Sequence, residues 1–261
     1  MARPAGRPSK ARRSDDRTDV IYGRRPVLEL LRAGGSSERV MLAEGLSRSS
    51  ILAEIRKLAS DAAVPIRVVP RREVERMAPG QNHQGVVAVT SRYRYAPLQD
   101  VLAPLDAAVL FLDGITDPHN IGSLVRSAEC AGFTGAVLPA HRSSGITAAV
   151  RRVAAGAAEI VPVARVSNLG SALDDAKSAG LWIVGLDEHS QDDVWSSELV
   201  EPPIGLVLGA EDRGLSKGVR DRCDGLVAIP QRGRIGSLNV AVAGAVAMFE
   251  MARRRGPSDT L

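Results

Sequence analysis

The chain of 261 residues contains only two cysteines, Cys130 and Cys223, and aromatic residues make up 3% of it. Two cysteines are too few for a disulfide scaffold and favour a reducing compartment. No apolar run approaches the ~20 residues that a membrane-spanning helix requires, and the basic N-terminus lacks the apolar segment of a secretion signal. We therefore expect a cytoplasmic protein with no membrane contact.

Several ligand-binding motifs are also missing. No glycine-rich phosphate-binding motif of the dinucleotide or P-loop type follows a strand, and no G-x-S-x-G sequence marks a hydrolase nucleophile. The four histidines are scattered without metal-ligand spacing, so we expect no metal ion. These absences argue against a dinucleotide enzyme, a P-loop NTPase and a serine hydrolase.

Positive charge is in modest excess, with 34 Lys and Arg against 30 Asp and Glu, a formal net charge of +4. The first acidic residue is preceded by five basic ones: Arg3, Arg7, Lys10, Arg12 and Arg13. We predict that residues 1–19 form a disordered basic arm, either a solubilising tail or a nucleic-acid tether. If RNA is the partner, the scarcity of aromatics favours phosphate contacts by arginine over base stacking.

The residue pattern predicts two α/β units. Residues 20–92 combine amphipathic helices with short strands, and residues 93–106, with Pro97 and Pro104, read as a linker. From 107 to 255 strands alternate with helices, which predicts a mostly parallel sheet covered on both faces. Residues 256–261 are a short tail. The predicted strands of the second unit are Ala107–Leu112, Gly135–Leu138, Ile160–Val163, Leu181–Leu186, Ile204–Leu208 and Leu226–Ile229.

Ligands of such sheets bind beyond the carboxyl ends of the strands, where the first unusual turn lies. Asp117 can cap a helix, and Pro118 suits its first turn. Asn120 follows in the tight turn, and Arg126 lies off the apolar face of the helix beside an open Gly122. The same pattern is also typical of an ordinary capped helix with a solvent-exposed arginine and no function.

Two further turns follow buried strands. The second, LVLGAEDRGLS, places Glu211 after Gly209, and it could be an ordinary strand-end turn. The third leads into a helix, predicted over Leu238–Arg254, that is apolar on nearly every face and therefore expected to be buried. Ser237 and Asn239 open that helix, and capping by Ser237 alone would explain its presence.

Together the three turns resemble the three signature motifs of the SpoU (TrmH-type) RNA ribose 2′-O-methyltransferases of the SPOUT superfamily. The matching segments are LDGITDPHNIGSLVRSAECAGF, LVLGAEDRGLS and IP…GSLNVAVAGAV. The segments RSSGITAAVRRVAAGAAEIVPVARVSNL and QNHQGVVA are similar to the RlmB-type 23S rRNA guanosine-2′-O-methyltransferases. The resemblance covers roughly residues 21–254.

The resemblance implies the fold and the partners. Residues 107–255 would form a SPOUT-type α/β domain with a parallel sheet and a C-terminal trefoil knot, preceded by an L30e-like RNA substrate-binding domain at residues 20–92. The chain would act as a homodimer, with the first motif near the partner's cofactor pocket. S-adenosylmethionine would be the methyl donor, held largely by backbone groups of Gly209, Ile229 and Leu238.

The family's functional positions carry over onto five matching residues: Asn120, Arg126, Glu211, Ser237 and Asn239. Because the pKa of arginine exceeds ~12, we interpret Arg126 as orienting the ribose 2′-hydroxyl and an adjacent phosphate, with a proton-acceptor role left open. Asn120 and Glu211 would form a polar network around it. Ser237 and Asn239 would shape the start of the last helix and bond cofactor or substrate.

One departure from the family pattern is Gln231, which stands where the third motif usually has methionine and puts the shape of the adenosine pocket in question. Arg232 and Arg234 fall outside the shared motif and are predicted to contact RNA phosphates weakly. The leading prediction is 2′-O-methylation of a guanosine ribose in 23S rRNA. The alternatives are a tRNA 2′-O-methyltransferase, an antibiotic-resistance methyltransferase and a non-catalytic ribosome-assembly factor that binds RNA.

Overall fold

The computed structural model describes residues 18–34, 37–198, 203–233 and 236–255. The N-terminal elements are β1 (Thr18–Tyr22), α1 (Arg24–Arg32), β2 (Ser37–Ala43), α2 (Ser50–Asp61), β3 (Ile66–Val69), α3 (Arg71–Met77) and β4 (Val86–Ser91). Their strands form one sheet in the order β1-β4-β2-β3. Strand β4 is antiparallel to both of its neighbours, whereas β2 and β3 run parallel.

Alternating apolar side chains give this sheet two buried faces. Val40 and Leu42 pack with residues of α1 and α2, and Met41 and Val87 pack on the opposite side with Val74 of α3. The N-terminal sheet therefore has a core of its own on each face.

The remaining elements are α4 (Leu98–Leu102), β5 (Ala108–Asp113), α5 (Pro118–Cys130), β6 (Gly135–Pro139), α6 (Ala148–Ala154), α7 (Ala157–Ile160), β7 (Val163–Val166), α8 (Leu169–Ser178), β8 (Trp182–Leu186), β9 (Ile204–Gly209), α9 (Lys217–Arg220), β10 (Gly225–Val227) and α10 (Val240–Arg254). The strands form a second sheet, β10-β8-β9-β5-β6-β7, in which every pair is parallel. The predicted α/β class with a parallel sheet is confirmed.

Helices cover both faces of the second sheet. Leu110 and Leu112 of β5 pack with α5 and α10, whereas Val109 and Phe111 pack with α8 on the other face. Strand β9 lies between β8 and β5 and is paired on both sides along its length. It is therefore a central, fully buried strand, as its unbroken apolar sequence requires.

The predicted strand Ile160–Val163 is wrong by three residues. Ile160 ends α7 and is 58% exposed, and β7 starts only at Val163, after Pro162. The carbonyl of Pro162 accepts a bond from the N–H of Ala136 at 3.0 Å, but proline has no N–H to donate to a neighbouring strand. An apolar run alone does not reveal where pairing starts.

Two predicted boundaries also differ from the structure. The predicted linker contains α4, whose buried Val101 packs under Gly135 of β6, so this segment belongs to the core of the second sheet. The predicted arm ends earlier than expected, because Thr18 and Asp19 pair with β4. The rest of the arm and the tail lie outside the described residues.

A buried arginine joins the two sheets. Arg151 of α6 is 5% exposed, and its Nη1 donates to Thr90 Oγ1 of β4 at 2.7 Å. Its Nε donates to Glu159 Oε1 at 2.7 Å, which pairs the buried charge. Because an unpaired charge in this position would be costly, the contact fixes α6 against the N-terminal sheet.

In the part of the chain that the structure describes, no helix combines the length and apolar composition needed to cross a membrane.

Candidate active site

The first and second unusual turns meet at the carboxyl edge of the second sheet. Asp113 at the end of β5 stands opposite Gly209 at the end of β9. The Asp113 carboxylate accepts a bond from the N–H of Ser216 at 2.6 Å and so ties the second turn to the first. Parallel neighbouring strands thus bring two segments about a hundred residues apart to one edge.

Gly209 is required by a close backbone approach. The second turn folds back through a bond from the Gly214 N–H to the Ala210 carbonyl at 2.8 Å. A Cβ on Gly209 would overlap the backbone of Gly214 and Leu215. Backbone cannot move aside as a side chain can, so glycine at this position shapes the turn that carries Glu211.

A cleft of about 330 Å³ lies beside this turn. All three predicted cofactor residues, Gly209, Ile229 and Leu238, line it, as do Ser237 and Gln231. Its other apolar lining residues are Leu186, Leu208, Ala210, Leu215, Val240 and Ala243. Carboxylates at the cleft come from Asp187, Glu188, Glu211 and Asp212, and positive charge comes from Arg213 and Arg220, the latter paired with Asp187. The cleft therefore offers an apolar surface with acidic groups in excess around it.

Three of the predicted catalytic residues, one from each turn, form a hydrogen-bonded trio. Asn239 Nδ2 donates to Glu211 Oε1 at 2.6 Å and to Asn120 Oδ1 at 3.1 Å. Glu211 Oε1 also accepts from the N–H of Val240 at 3.3 Å. Asn120 is only 5% exposed, so its amide is held in a defined environment. The carboxylate lies at the N-terminus of α10, where the helix dipole favours negative charge.

Asn239, and not Ser237, caps α10. Its Oδ1 accepts from the N–H groups of Ala241 at 2.9 Å and Val242 at 3.3 Å, and the helix begins at Val240 and not at the predicted Leu238. Asparagine succeeds here because its oxygen can cap the helix while its nitrogen serves the trio. Ser237 is exposed and lies on the cleft wall two residues earlier.

Arg126 does not join the trio within one chain. It is exposed on α5, six residues after Asn120, which places it about 9 Å further along the helix and about 120° around it. No hydrogen bond or ion pair connects it to another described residue. The predicted open space at Gly122 is wrong: a Cβ there would lie 2.6 Å from Val153 Cβ and 2.8 Å from the Val150 carbonyl of α6.

The predicted burial of α10 is also only half right. Its inner face is buried, but Val242 is 50% exposed and Phe249 is 51% exposed. Both belong to one stripe with the half-buried Val246, at spacings of four and three residues. The apolar outer face is thus open to solvent in the single chain.

The two arginines of the third turn are less informative. Arg232 is exposed in the loop after β10, and Arg234 lies outside the described residues.

Arg213 was missed by sequence reasoning. It lines the cleft and also an adjoining cavity of about 500 Å³ that Asn120 and Glu211 share. Gly114, at φ +73°, makes room for it, since a Cβ on Gly114 would overlap the Arg213 guanidinium. This contact joins residues a hundred positions apart, so no local pattern signals it. The acidic residues after β8, Asp187 and Glu188, follow the strand-end rule and could have been found by it.

Across the described residues, no group of three or more His, Cys, Asp and Glu side chains is placed to hold a metal ion. Both cysteines are free thiols, and burial raises the pKa of Cys223 to about 12.

Two family models match the chain. Residues 107–249 match the SpoU rRNA Methylase family, and residues 20–96 match the model described as RNA 2'-O ribose methyltransferase substrate binding. The first match contains the three turns and the cleft, and the second contains the N-terminal sheet.

Individual relatives resemble the whole chain. An uncharacterized tRNA/rRNA methyltransferase of Mycobacterium ulcerans (strain Agy99) is 41% identical over 256 residues, which cover 95% of this chain and 81% of the relative. The putative TrmH family tRNA/rRNA methyltransferase YacO of Bacillus subtilis (strain 168) is 35% identical over 244 residues, covering 92% and 97%. The SpoU methyltransferase AviRb from Streptomyces viridochromogenes, crystallised with its cofactor AdoMet, aligns with a TM-score of 0.77, at 26% identity over 90% of this chain and 89% of that one.

Proposed function

The chain belongs to the SpoU rRNA methylase family, and we propose that it transfers a methyl group from S-adenosylmethionine to a ribose 2′-hydroxyl of RNA, in a guanosine of 23S rRNA. The observation that carries the proposal is the trio of Asn120, Glu211 and Asn239 at the rim of the cleft. Three motif residues that are distant in sequence converge there on one hydrogen-bonded group.

The cleft has the chemistry that the methyl donor needs. Ile229, Leu238 and Val240 offer apolar contact for an adenine ring, and Glu188 offers an acceptor for ribose hydroxyls. Both oxygens of Asp187 already accept bonds, from His189 and Arg220. The surrounding carboxylates also suit the positive charges of the sulfonium and the amino group. When bound, S-adenosylmethionine supplies an electrophilic methyl group, so the protein's main tasks are alignment and proton removal.

The trio would hold the acceptor ribose in position. Asn239 has its amide fixed by the cap on one side and by Glu211 and Asn120 on the other, so the geometry is set before the substrate arrives. The Glu211 carboxylate would orient the 2′-hydroxyl by accepting its hydrogen bond. The negative charge that develops on the oxygen as the proton leaves would be stabilised by a cation and not by this carboxylate. Ser237, exposed on the cleft wall, would add a hydrogen bond to cofactor or substrate.

Arg126 would enter the site from a second copy of the chain. We propose a homodimer formed through the apolar outer face of α10, where Val242, Val246 and Phe249 are accessible. Helix α5 packs beside α10, so an interface there would include the α5 surface that carries Arg126. From the partner's α5, the guanidinium would orient the 2′-hydroxyl and bind the neighbouring phosphate.

Two features of the fold also stand as proposals by resemblance. The C-terminal part of residues 107–255 would form the trefoil knot, and residues 20–92 would be L30e-like. The choice of 23S rRNA rests on the RlmB-type segments. The names of the two relatives, tRNA/rRNA methyltransferases, are compatible with either RNA.

The test is a methyl-transfer assay. The chain would be incubated with methyl-labelled S-adenosylmethionine and either unmodified 23S rRNA or unmodified tRNA, and the product nucleoside identified by mass spectrometry. We expect 2′-O-methylguanosine at one position of 23S rRNA. Label in tRNA alone would show that tRNA, and not 23S rRNA, is the substrate. Label on a base would overturn the ribose assignment. No label in either RNA would favour a non-catalytic RNA-binding factor.

A further inference from the structure

A second groove lies where the N-terminal sheet meets α6. It has a volume of about 670 Å³. Its polar lining consists of three arginines and three amides: Arg24, Arg25, Arg152, Gln81, Asn82 and Gln84. None of the described residues that line it carries a carboxylate, in contrast to the acidic cleft of the candidate active site. We refer to it as the junction groove.

The amide-bearing loop of the junction groove is held from below by His83. This side chain is 3% exposed, and its Nε2 lies 2.8 Å from Glu75 Oε2. Its Nδ1 accepts a bond from the N–H of Gly85 at 2.9 Å. His83 is thus buried and hydrogen-bonded at both ring nitrogens, whereas Gln81 and Gln84, on either side of it in the sequence, are exposed. The loop is therefore set before any ligand binds.

The two glutamines are oriented so that their nitrogens are available. Gln81 Oε1 accepts from the Tyr22 hydroxyl at 2.7 Å, and Gln84 Oε1 accepts from the N–H of Arg24 at 3.2 Å. No described residue accepts a bond from either amide nitrogen. Each NH₂ group can donate to a ligand, and the carbonyl and ring-nitrogen acceptors on nucleobase edges are suitable partners.

The cations of the junction groove come from both parts of the chain. Arg25 is exposed at the start of α1, and Arg152 of α6 lies over the Tyr22 ring with 4.4 Å from Cζ to the ring centroid. A guanidinium held on a ring keeps the N–H groups at its edge free to bind phosphate oxygens.

The junction groove is rigidly connected to the candidate active site. Arg151, next to Arg152, fixes α6 to β4, and α6 packs closely on α5 at Gly122. Helix α5 carries Asn120 in its first turn. A ligand in the groove would thus be held at a set distance from the trio.

We propose that the junction groove binds a single-stranded segment of the substrate RNA, with phosphates on Arg25 and Arg152 and one base edge on the amides of Gln81 and Gln84. It thereby deepens the proposed function, on which it rests for the identity of the RNA as methyl acceptor. The groove would select an unpaired nucleotide near the target ribose, because only an unpaired base exposes its Watson–Crick edge to such donors.

The test compares variants in RNA binding without S-adenosylmethionine. Arg25→Gln and Arg152→Gln each remove a phosphate contact. Gln81→Met removes the amide donor at nearly constant shape, together with the acceptor of the Tyr22 hydroxyl, and thermal melting measures the effect of that second loss on the fold. Lys177→Gln is the control, since Lys177, in the last turn of α8, pairs with Asp224 ahead of β10 and does not line the junction groove. Unmodified 23S rRNA is the probe, its dissociation constant is measured over a salt series, and thermal melting checks each fold.

We expect each arginine variant to bind about tenfold more weakly and to lower the salt slope by about 0.7, the value for one single-strand phosphate. Gln81→Met should weaken binding with the slope unchanged, and the affinity for S-adenosylmethionine should not change in any variant. Salt slopes and affinities equal to those of Lys177→Gln would overturn the groove assignment. The methyl-transfer assay is judged separately: wild type that binds RNA through the groove without labelling it would overturn only the proposed function.

Discussion

Asn239 uses both ends of its carboxamide at once. The oxygen caps α10 through the N–H groups of Ala241 and Val242, and the nitrogen donates to Asn120 and Glu211. Serine or aspartate could cap the helix equally well, but neither has the N–H donor. Capping and site geometry are therefore separable by substitution.

We predict that Asn239→Ser keeps the fold and loses activity. The serine hydroxyl retains a cap acceptor, so the melting temperature should stay close to that of wild type. Loss of the donor leaves the trio unconnected, and methyl transfer should fall about 10- to 100-fold, the equivalent of ~1–3 kcal/mol for a broken buried hydrogen bond.

The matched control is Asn168→Ser. Asn168 caps α8 by accepting from the N–H of Ser171 at 3.2 Å and takes no part in the trio. Both variants should melt alike, while methyl transfer should fall only in Asn239→Ser. Equal activity of the two variants would exclude the trio from the reaction.

At this scale the sequence predicts residue types better than contacts. The three turns and their strand ends suffice to place Asn120, Glu211 and Asn239 at one edge of the sheet. The fit of Arg213 into the space above Gly114 was not foreseeable, because it depends on two loops that approach only in the folded chain. Which of Ser237 and Asn239 caps α10 likewise depends on the residue at which the helix begins.

Helices α5 and α6 touch through Gly122. A Cβ at this position would lie 2.8 Å from a backbone carbonyl of α6, so even a methyl group requires the helices to separate. Separation would also move Asn120 at the start of α5.

We predict that Gly122→Ala destabilises the chain although alanine is the better helix former. Overpacking costs about 1–3 kcal/mol against a gain of about 1 kcal/mol in helix propensity. The net cost is then up to about 2 kcal/mol, so the melting temperature should fall by up to roughly 8 °C. Gly218→Ala in α9 is the control, since its Cβ would meet only Arg222 Nη1 at 3.8 Å. A Gly122→Ala protein as stable as the control would contradict the packing argument.

The end of α10 is held by an acidic residue. Glu250 is 7% exposed and accepts bonds from Arg253 and Arg254 at 2.7 to 3.0 Å. Arg254 in turn donates to the Ser197 carbonyl at 2.6 Å. The bonds from Arg253, followed by those from Arg254, hold the pKa of Glu250 at about 2, below its ordinary 4.5.

This pKa predicts a stability difference that depends on pH. Since the pKa in the folded chain is lower than in the unfolded chain, the carboxylate stabilises the fold fully above pH 4.5. The contribution fades as the pH falls from 4.5 toward 2. Urea unfolding should therefore show Glu250→Gln less stable than wild type at pH 7, with a smaller difference at pH 3. Glu38→Gln, at an exposed position of β2, should show no difference, and a pH-independent deficit in Glu250→Gln would refute the linkage.

The whole-molecule prediction concerns Arg126 and the second copy. If Arg126 serves the partner's cleft, a mixed dimer of Arg126→Ala and Asn239→Ser chains has one cleft with every residue intact. Random mixing of the two impaired variants should then give about a quarter of wild-type activity, above that of either variant alone, because half of the dimers are mixed and one of their two clefts works. Methyl transfer after mixing the purified variants measures this. Absence of any recovery in dimers shown to exchange would place Arg126 in its own chain's site.

At the scale of the molecule, alternation of strands and helices from residue 107 onward was enough to predict a parallel sheet. The strand order β10-β8-β9-β5-β6-β7 was beyond reach from local patterns, because long-range crossovers determine it. The exposed stripe on α10 was misjudged for a related reason. Apolar residues on an exposed helix face look, in one sequence, like residues of a core, because periodicity does not show which face another element covers.

Strand β9, hydrogen-bonded to β5 and β8 on its two sides, gives the cleft a floor that only opening of the whole sheet can disturb. The turn above it closes through a bond from the Gly214 N–H to the Ala210 carbonyl, and bonds at Glu211 and Ser216 join it to α10 and β5. Amide protons of β9 will therefore exchange with solvent only in rare, near-global openings, while those of the turn exchange through local opening. We therefore expect local opening of this turn to leave the floor of the cleft intact.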